Sequence, residues 1–473
     1  MHVHLIGVCG TGMGSLAGLL VAAGHRVTGS DQAFHPPMGP ALEAWGVETK
    51  TGYAPTNLEP APDLVVVGNV CRPDHVEARA AIDGGLPYAS FPATLRARFL
   101  AHRQPFVVAG THGKTTTSTL LAFLLHRAGA DPGMLVGGIP RDFDASFRLG
   151  HEGGPFVVEG DEYDSAFFEK TPKLWQYDAQ AAILTSVEHD HIDIYPDADS
   201  YRAAFERFVE EMPEDGVLVA WAGSAEVRRV AARARCRVVW YALSTDEVGD
   251  VAPTWVAAPI KPQGGLTPFD LFIGGSATPT VMSPLSGRHN VLNATAAMAL
   301  AAETGKARVD VLIGALRSFR GVRRRQELLG VAAGVRVYDD FAHHPTAVRE
   351  TLRGLRARHP EGRLIAVFEP RSATASRRLH QAEYPAAFDA ADLAILAPVG
   401  RPEIADAERL DVDGIASAIG PHAIAAASHD AILDAIDTHG SRGDTVVLMS
   451  NGAFGGLHDR VLARLARRSI AEN

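Results

Sequence analysis

A strand, a glycine-rich turn and a helix follow one another without interruption at residues 105–129, PFVVAGTHGKTTTSTLLAFLLHRAG. Pro105–Ala109 is a short apolar run typical of a buried parallel strand, and Thr115–Ala128 carries an apolar face that predicts a helix. A turn between two such elements directs backbone N–H groups and the helix N-terminus at one point, where a polyphosphate binds well. This feature predicts a nucleotide site in an α/β fold.

The spacing of this turn differs from that of the common phosphate loop. The usual pattern places a glycine five positions before the Gly–Lys pair, but Val108 stands there, and Gly110 is only three positions before Gly113. Lys114 is still suited to neutralise the β- and γ-phosphates, and the Thr115 hydroxyl to bind Mg²⁺. The chain has 6 lysines and 39 arginines, so a solvent-exposed lysine without a specific role is less expected at this position. The alternative is a glycine turn before a helix, with a solvent-facing lysine.

Strand and helix patterns alternate along the whole chain, which predicts parallel sheets covered by helices. We interpret the 473 residues as three α/β domains. These are a Rossmann-like N-terminal domain over 1–98, a central P-loop-type ATPase domain over 99–322 and a C-terminal Rossmann-like α/β domain over 323–473. The predicted strands include residues 2–8, 181–188, 217–221 and 237–243.

Composition argues against several classes of function. A net charge of −10 and a pI near 6.0 disfavour nucleic acid as a partner. Cys9, Cys71 and Cys236 are too few and too scattered for a disulfide framework or a cysteine zinc site. No leader precedes the first strand, and no apolar run approaches about 18 residues. We therefore expect a cytoplasmic enzyme that has no membrane partner.

A second glycine-rich turn, GVCGTGMG at residues 7–14, follows the first strand. It is similar to a dinucleotide fingerprint, with Asp31 placed where a ribose-binding acid would lie. The G-x-G-x-x-G pattern is not satisfied, because Gly10 and Gly12 would require a glycine where Ser15 stands. The helix N-terminus could still hold a diphosphate. A UDP-type ligand, a dinucleotide and a purely structural turn all remain open from these residues.

Two acidic clusters follow predicted strands of the central segment. Glu159 ends one strand, with Asp161 and Glu162 close behind, and His191 lies in the segment EHDHID that ends another. Carboxyl ends of parallel strands meet at one sheet edge, so the clusters indicate Mg²⁺ near the γ-phosphate. A histidine among acids also suits zinc, but zinc usually needs three or four ligands of set spacing. Taken alone, each cluster is more typical of an acidic surface loop.

Three further stretches carry candidate nucleotide contacts. His289 and Asn293 begin a predicted helix and could hold a base. Arg324 and Arg325 lie in GVRRRQE at a domain junction, where they could reach phosphates instead of forming a solvated face. Asp340 and His343 follow a strand and could contact a ribose.

Together these residues resemble the Mur ligase family, the ATP-dependent amide-forming enzymes of peptidoglycan synthesis, over nearly the whole chain. The family's phosphate loop reads G-T-x-G-K-[ST]-[ST], and residues 110–116 satisfy it, which accounts for the unusual spacing. The resemblance implies ATP contacts from Gly110, Thr111, His112, Gly113, Lys114, Thr115, Thr116, His289, Asn293, Arg325 and Asp340, and Mg²⁺ ligands from Thr115, Glu159 and His191. It implies a UDP-sugar site at Gly10, Thr11, Gly12, Met13, Ser30, Asp31 and Asn69.

The resemblance also indicates a branch of the family. Many members carry a carbamylated lysine after the DHxD-like segment, but YPDADSYRAAFERF has no lysine, as in the branch that acts on UDP-N-acetylmuramate itself. The stretches HPPM, VFEPRSATASRR and MSNGAFGGLHDR resemble members that add the recycled tripeptide L-Ala-γ-D-Glu-meso-diaminopimelate, and the alternative is addition of L-alanine. A third domain that reads such a peptide would use Arg371, Ser372, Ser450 and Asn451.

The implied reaction activates the muramoyl carboxylate as an acyl phosphate, which the peptide amine then attacks. Lys114, Arg325 and His343 are the implied catalytic residues, and ATP, Mg²⁺ and small-molecule substrates the implied ligands of a monomer or weak homo-oligomer. From another class, the loop at 7–14 with Asp31 is also compatible with an NAD-dependent oxidoreductase. A non-catalytic nucleotide-binding module is a third interpretation.

Overall fold

The N-terminal glycine turn joins a strand to a helix within an open parallel sheet. The computed structural model describes residues 1–35, 38–401 and 403–471; Pro36 and Pro37 of the HPPM stretch therefore lie outside the described residues. The five strands are arranged in the order β3-β2-β1-β4-β5, as in dinucleotide-binding folds. The elements are β1 His2–Ile6, α1 Thr11–Ala22, β2 Arg26–Asp31, α2 Met38–Ala44, β3 Glu48–Thr51, β4 Leu64–Val67, α3 Val76–Asp83, β5 Tyr88–Ser90 and α4 Phe91–Leu95.

Both faces of this first sheet are covered by helices. Leu5 of β1 belongs to a core that includes Leu16 and Leu20 of α1, whereas Ile6 packs in a second core with Ala78 of α3. Neighbouring residues of a strand point to opposite faces, so a run such as Leu5–Ile6 must be apolar throughout. Each fully buried aliphatic side chain contributes about 1.5–3 kcal/mol of transfer free energy.

The second sheet has eleven strands and contains the phosphate-binding turn near its centre. Its order is β17-β16-β15-β14-β13-β12-β6-β9-β7-β8, with β18 paired to β16, and β10 and β11 form a separate hairpin. The elements are β6 Gln104–Ala109, α5 Lys114–Arg127, β7 Gly133–Leu135, β8 Phe147–Arg148, β9 Pro155–Gly160, β10 Asp164–Ala166, β11 Glu169–Pro172, β12 Ala181–Leu184, α6 Ala198–Glu210, β13 Val217–Trp221, α7 Ala225–Ala231, β14 Arg237–Leu243, β15 Trp255–Pro259, β16 Thr267–Ile273, β17 Ser276–Ala277, β18 Val281–Ser283, α8 Arg288–Glu303 and α9 Val309–Leu316.

The third sheet has six strands in the order β19-β20-β24-β21-β22-β23. Only the β19–β20 pair is antiparallel. The elements are β19 Glu327–Ala332, β20 Val335–Asp340, α10 Pro345–Arg358, β21 Leu364–Phe368, α11 Tyr384–Ala387, β22 Leu393–Leu396, α12 Val412–Ile419, β23 Ala423–Ala425, α13 His429–His439, β24 Thr445–Met449 and α14 Leu457–Ala471. The predicted fold class, three α/β domains, is confirmed. The boundaries at 98 and 322 stay a prediction, although each sheet lies within one of the three ranges.

Two strands end earlier than the sequence predicts. β1 ends at Ile6, because Gly7 has φ +80° and the N–H groups of Gly7 and Val8 both donate to the carbonyl of Ser30. β12 ends at Leu184, because residues 185–188 turn away to contact the phosphate-binding turn. In both places the chain leaves the sheet at its carboxyl edge, where ligands bind in α/β folds.

The three domains contact one another through polar side chains. The Ser15 hydroxyl lies 2.6 Å from that of Ser146, which joins the first domain to the second. The Thr346 hydroxyl donates to Glu188 at 2.7 Å, which joins the third domain to the second. In the part of the chain that the structure describes, no helix is both long and apolar enough to cross a bilayer.

Candidate active site

The phosphate-binding turn, residues 110–113, has a backbone that only glycine adopts easily at two positions. Gly110 has φ +128° and Gly113 has φ +79°. A Cβ at Gly110 would lie 2.2 Å from the Thr185 hydroxyl, and one at Gly113 would lie 2.7 Å from the side-chain oxygen of Asn293. No side chain caps the N-terminus of α5, so its first N–H groups are available to a phosphate.

The end of β12 holds this turn in place. The Ser186 side chain accepts a hydrogen bond from the N–H of His112 at 2.9 Å, and its carbonyl accepts from the N–H of Thr111 at 3.0 Å. The Thr185 hydroxyl donates to the carbonyl of His112 at 2.6 Å. The turn therefore has a fixed shape before any ligand binds, which lowers the entropic cost of binding.

Lys114 lies under the turn in a buried ion pair. Its ammonium group donates to the carbonyl of Gly110 at 2.7 Å and to Oε2 of Glu162 at 2.8 Å. Burial lowers the pKa of Lys114, but Glu162 and Asp161 outweigh it, so the pKa stays above its ordinary value. Burial raises the pKa of Glu162, yet Lys114 and His191 bring it down to about 2. Both groups are therefore charged at neutral pH.

Thr115 and Glu159, two predicted Mg²⁺ ligands, are in direct contact. The Thr115 hydroxyl donates to Oε2 of Glu159 at 3.1 Å, and the N–H of Gly137 donates to Oε1 at 2.6 Å. Burial and the nearby Asp161 raise the pKa of Glu159. Hydroxyl and carboxylate oxygens beside an open helix N-terminus are the donors that Mg²⁺ takes when it also binds phosphate oxygens. These residues fit the predicted ion.

His191, the third predicted ligand, lies on the other side of the Lys114–Glu162 pair. Its Nε2 is 3.3 Å from Oε1 of Glu162, and its backbone has φ +54°. Burial lowers the pKa of His191, but the hydrogen bond to Glu162 and the charge of that carboxylate raise it overall. Asp190 accepts a hydrogen bond from the His191 N–H at 2.7 Å, which stabilises the turn that presents the imidazole.

A cavity of about 230 Å³ lies between the phosphate-binding turn, α8 and the third domain. His289 and Asn293 line it, together with Trp221, Tyr241 and Asp340. Burial and Arg288 lower the pKa of His289 to about 4, so its ring is neutral and can face a base. The Asp340 carboxylate also accepts from the N–H groups of Gln326 and Ala342, each at 2.8 Å. The structure thus brings together the residues predicted to hold adenine and ribose.

The adjacent arginines of the domain junction point to different domains. Arg325 lies 3.3 Å from the Thr115 hydroxyl through Nη2, with its guanidinium 4.7 Å from the Phe341 ring centre. Arg324 has φ +60° and donates from Nη2 to the carbonyls of Ser450 and Gly452 at 2.6 and 2.7 Å. The sequence predicts phosphate contact for both arginines, whereas only Arg325 contacts the phosphate site.

His343 faces the second domain from the start of the third. Its Nδ1 lies 3.1 Å from the carbonyl of Phe341, which requires a proton on Nδ1 and leaves a lone pair on Nε2. Nε2 is 3.9 Å from Oδ2 of Asp190, beyond hydrogen-bond distance. Burial lowers the pKa of His343 despite the nearby Asp190.

The residues predicted to bind a peptide lie on two neighbouring loops of the third domain. Arg371 is exposed and passes over the loop at 450–452, where a Cβ on Gly452 would be 2.3 Å from its Nη1. Ser450 is fully buried, and its hydroxyl donates to Glu369 and accepts from the N–H of Gly452. The Ser372 hydroxyl accepts from the N–H of Ala375 at 3.0 Å. Arg371 is therefore the most available of these side chains, while Ser450 shapes the loop that also carries Asn451.

In the first domain, Asp31 supports the glycine turn at 7–14. Its Oδ2 accepts from the N–H of Cys9 at 2.8 Å, and its Oδ1 from the Tyr53 hydroxyl at 3.3 Å. The Ser30 hydroxyl is buried and donates to Glu77 at 2.7 Å, so it serves the interior of the domain. Gly10 precedes α1 without a side-chain cap, Met13 is buried and Asn69 is exposed.

A larger cavity, of about 460 Å³, is lined by all three domains. Thr11 and Gly12 come from the first domain, while Arg325 and His343 come from the third. The second domain supplies the phosphate-site residues Thr111, His112, Gly113, Lys114, Thr115, Glu159 and His191. The cavity therefore joins the predicted nucleotide, metal and UDP-sugar sites.

Lys173, which lines this cavity, and Glu162, which lies beside it, were not among the predicted site residues. Lys173 lines it, with its ammonium group 4.1 Å from the Tyr163 ring centre and 3.4 Å from Asp161. Glu162 stands in the predicted acidic cluster, but only the fold shows that it binds Lys114. No local sequence pattern marks Lys173, although lysine is so scarce in this chain that each lysine could have been considered a candidate functional residue.

Three α/β domains lie around one cavity that contains a glycine-rich turn at a helix N-terminus, and comparison with known proteins assigns this architecture to a family of ligases. The Mur ligase family, catalytic domain, matches residues 2–103, the Mur ligase middle domain matches 108–301, and the Mur ligase, glutamate ligase domain, matches 324–452. The chain belongs to the Mur ligase family, whose members are ATP-dependent amide ligases. This confirms the resemblance. Membership of a family of ligases favours a catalytic role over the oxidoreductase and non-catalytic interpretations.

Individual relatives cover most or all of the chain. The UDP-N-acetylmuramate–L-alanyl-γ-D-glutamyl-meso-2,6-diaminoheptandioate ligase of Escherichia coli K12 is 36% identical and covers 100% of both chains. The crystal structure of a murein peptide ligase from Psychrobacter arcticus is 36% identical, with a TM-score of 0.72 over 98% of this chain and 99% of that one. A UDP-N-acetylmuramate–L-alanine ligase of Roseiflexus sp. RS-1 is 38% identical over 83% of this chain and 84% of its own.

Proposed function

We propose that this chain joins L-alanyl-γ-D-glutamyl-meso-diaminopimelate to the carboxylate of UDP-N-acetylmuramate, with conversion of ATP to ADP and phosphate, in the recycling of peptidoglycan. The observation that carries this proposal is the cavity lined by all three domains, because the reaction must bring three substrates to one point. Relatives that match the chain from end to end are named for this reaction, which supports the choice of peptide.

The nucleotide would occupy the smaller cavity and extend its phosphates over residues 110–116. His289 and Asn293 would face the base, and Asp340 the ribose. The N–H groups at the start of α5 would bind the phosphates, since they have no side-chain cap. Mg²⁺ held by Thr115, Glu159 and His191 would neutralise charge on the phosphates.

The sugar substrate would enter from the first domain. The N-terminus of α1 at Gly10–Met13 would bind its diphosphate, with Asp31 holding the turn through Cys9. The exposed Asn69 would complete the proposed UDP-sugar site, and Ser30 would support it from the interior of the domain through Glu77. Because Thr11 and Gly12 line the shared cavity, the muramoyl carboxylate would approach the phosphate site.

The carboxylate must then attack the γ-phosphate, although both are anions. Two like unit charges 4 Å apart repel by about 4 kcal/mol at an effective dielectric near 20. Lys114 and Arg325 both line the cavity and would offset this repulsion. Transfer of the phosphoryl group forms a C–O–P bond and an acyl phosphate, and ADP leaves.

The peptide amine must lose a proton to attack the acyl phosphate. His343 would accept it on Nε2, since Nδ1 is held as a donor by the Phe341 carbonyl. Attack forms the C–N bond, breaks the C–O bond and releases phosphate. Arg371 would bind a peptide carboxylate in a bidentate manner. The 450–452 loop, which the buried Ser450 shapes and which carries Asn451, would bind another together with the nearby Ser372.

Phosphate release measures this proposal directly. Untagged protein is supplied with ATP, Mg²⁺ and UDP-N-acetylmuramate, and the amine is either the tripeptide or L-alanine. We expect phosphate release that depends on the tripeptide, with a ligated product of the matching mass. Release with L-alanine alone would assign the chain to the L-alanine reaction instead.

Because all the substrates are small soluble nucleotides or peptides, we also propose a cytoplasmic location.

A further inference from the structure

Two histidines and a glutamate meet at the seam between the second and third domains. Nε2 of His112, from the phosphate-binding turn, lies 3.2 Å from Oε2 of Glu188, which follows β12. Nδ1 of His344, the residue that precedes α10, lies 3.8 Å from the same oxygen. One ligand atom from each side chain lies within 4.8 Å of the other two.

We propose that His112, Glu188 and His344 form a binding site for a divalent ion of the zinc class, separate from the Mg²⁺ site. Ligands that stand about 2.0–2.1 Å from a tetrahedral zinc ion are roughly 3.4 Å apart. The two distances to Glu188 are close to this spacing, so small side-chain movements would complete the site. Three protein ligands leave a fourth position for water.

The donor set decides which ion the site selects. Two imidazole nitrogens and one carboxylate suit Zn²⁺, Co²⁺ or Ni²⁺, whereas Mg²⁺ prefers oxygen donors in octahedral geometry. The predicted Mg²⁺ site offers the oxygens of Thr115 and Glu159 beside a single imidazole, that of His191, and so it is richer in oxygen donors. Zinc-class ions and Mg²⁺ should therefore divide between the two sites.

The surroundings orient the carboxylate and leave the ring nitrogens of one histidine weakly hydrogen-bonded. The Thr346 hydroxyl donates to Oε2 of Glu188 at 2.7 Å, and a hydrogen bond of this kind orients a carboxylate toward a metal ion. His344 is 4% exposed, and its Nε2 has no hydrogen-bond partner among the described residues. Its Nδ1 accepts only a long bond of 3.3 Å from the N–H of Thr346. Coordination would replace this weak bond with a metal–nitrogen bond.

An ion at this site would connect two domains. His112 and Glu188 belong to the second domain, and His344 belongs to the third. The ion would therefore tie the phosphate-binding turn to the start of α10. We expect it to stabilise the contact between the two domains.

Metal binding can be measured without any substrate, so failure of the proposed ligase reaction would leave this inference intact. Untagged, metal-free full-length protein in millimolar Mg²⁺ is titrated with Co²⁺, and the visible absorbance is recorded. Zn²⁺ affinity is measured against a chromophoric chelator. We expect one equivalent of Co²⁺ with the intense bands of a tetrahedral ion, displaced by Zn²⁺.

Substitutions of the three proposed ligands test where the ion binds. H112Q, E188Q and H344A should each lower Zn²⁺ affinity at least tenfold. H380Q is the matched control, because the His380 ring lies 4.5 Å from that of His344 but is not one of the three ligands. E159Q should bind Zn²⁺ normally. If H344A does not fold, H112Q and E188Q decide the question. Weak octahedral binding, unchanged affinity in H112Q and E188Q, or loss of affinity in E159Q would overturn the proposal.

Discussion

The ammonium group of Lys114 lies 2.8 Å from Oε2 of Glu162, and these side chains are only 13% and 1% exposed. The same carboxylate group accepts from the Tyr201 hydroxyl and lies close to His191. Glu162 therefore holds the phosphate-binding lysine and a predicted metal ligand in one network before substrates arrive.

Removing the lysine should abolish activity and also destabilise the protein. Lys114→Met takes away the charge at the phosphates, and we expect kcat/KM to fall by about 10²–10³-fold or more. It also removes the main counter-charge of the buried Glu162, which costs about 3–5 kcal/mol in comparable sites. The double variant K114M/E162Q separates the effects: its melting temperature should recover while its phosphate release stays absent. Recovery of activity in the double variant would contradict the role of Lys114.

The two junction arginines should affect different substrates. Arg325→Lys keeps the charge but loses the flat contact with Phe341 and the reach to Thr115, so we expect a tenfold to hundredfold loss of kcat. Arg324→Lys loses the paired bonds to the Ser450 and Gly452 carbonyls and should mainly raise KM for the peptide. Initial rates with ATP and peptide varied in turn measure both. Identical kinetic changes in the two variants would refute this division.

Arg371 should matter for the peptide alone. Arg371→Ala removes an exposed guanidinium beside the 450–452 loop, so KM for the tripeptide should rise about tenfold or more while KM for ATP is unchanged. Arg401→Ala is the matched control, since Arg401 donates to the Arg371 carbonyl but is a separate cation. An unaltered tripeptide KM in R371A would remove this residue from the peptide site.

Loss of the proposed base should slow amide formation without affecting nucleotide affinity. His343→Gln keeps a side chain of similar size but cannot accept the proton, so kcat should fall by about 10²-fold or more. Binding of ATP, measured by calorimetry, should be unchanged. The defect should diminish at high pH, where more of the peptide amine is already neutral. A variant with full kcat would show that the proton leaves by another route.

His359 should make the protein less stable in mild acid. Burial, with Arg336 and Arg358 nearby, lowers the pKa of His359 to about 4, and its Nε2 lies 2.8 Å from the Tyr338 hydroxyl. The unfolded chain therefore takes up a proton between about pH 6.5 and 4 that the folded chain does not, and stability falls as the pH decreases through this window. Because the ring is partly exposed, we expect a loss of about 1–2 kcal/mol. The difference between the melting temperatures at pH 7 and pH 5 should be smaller in H359Q than in the unaltered protein.

The sequence predicts the elements of this protein well where one local signal is sufficient. The strand at 217–221 and the strand at 237–243 have the predicted bounds, because each is a short apolar run that both faces of a parallel sheet require. Gly110 and Gly113 marked the predicted phosphate-binding turn, because their positive φ angles favour glycine. Such constraints act on neighbouring residues and can be read from the chain directly.

Partnerships between distant residues were not predictable in the same way. Arg324 and Arg325 are adjacent and identical, yet their side chains point to different domains. Because the backbone at Arg324 is left-handed, the Arg324 side chain contacts the third domain and the Arg325 side chain contacts the second. Ser450 looked suited to bind a ligand, but its hydroxyl is buried against Glu369. The Lys173 side chain lies in the cavity because its ammonium group packs over the Phe91 and Tyr163 rings, and no local sequence pattern predicts this position.

The sequence by itself determined three α/β domains, a phosphate-binding turn and membership of the Mur ligase family, because glycine conformation, strand burial and motif spacing are local properties. The tertiary structure decided that Glu162 binds Lys114, that three domains share one cavity, and that His112, Glu188 and His344 meet. These depend on how sheets from different parts of the chain pack. Side-chain contacts across domains arise from that packing and leave no periodic trace in the sequence.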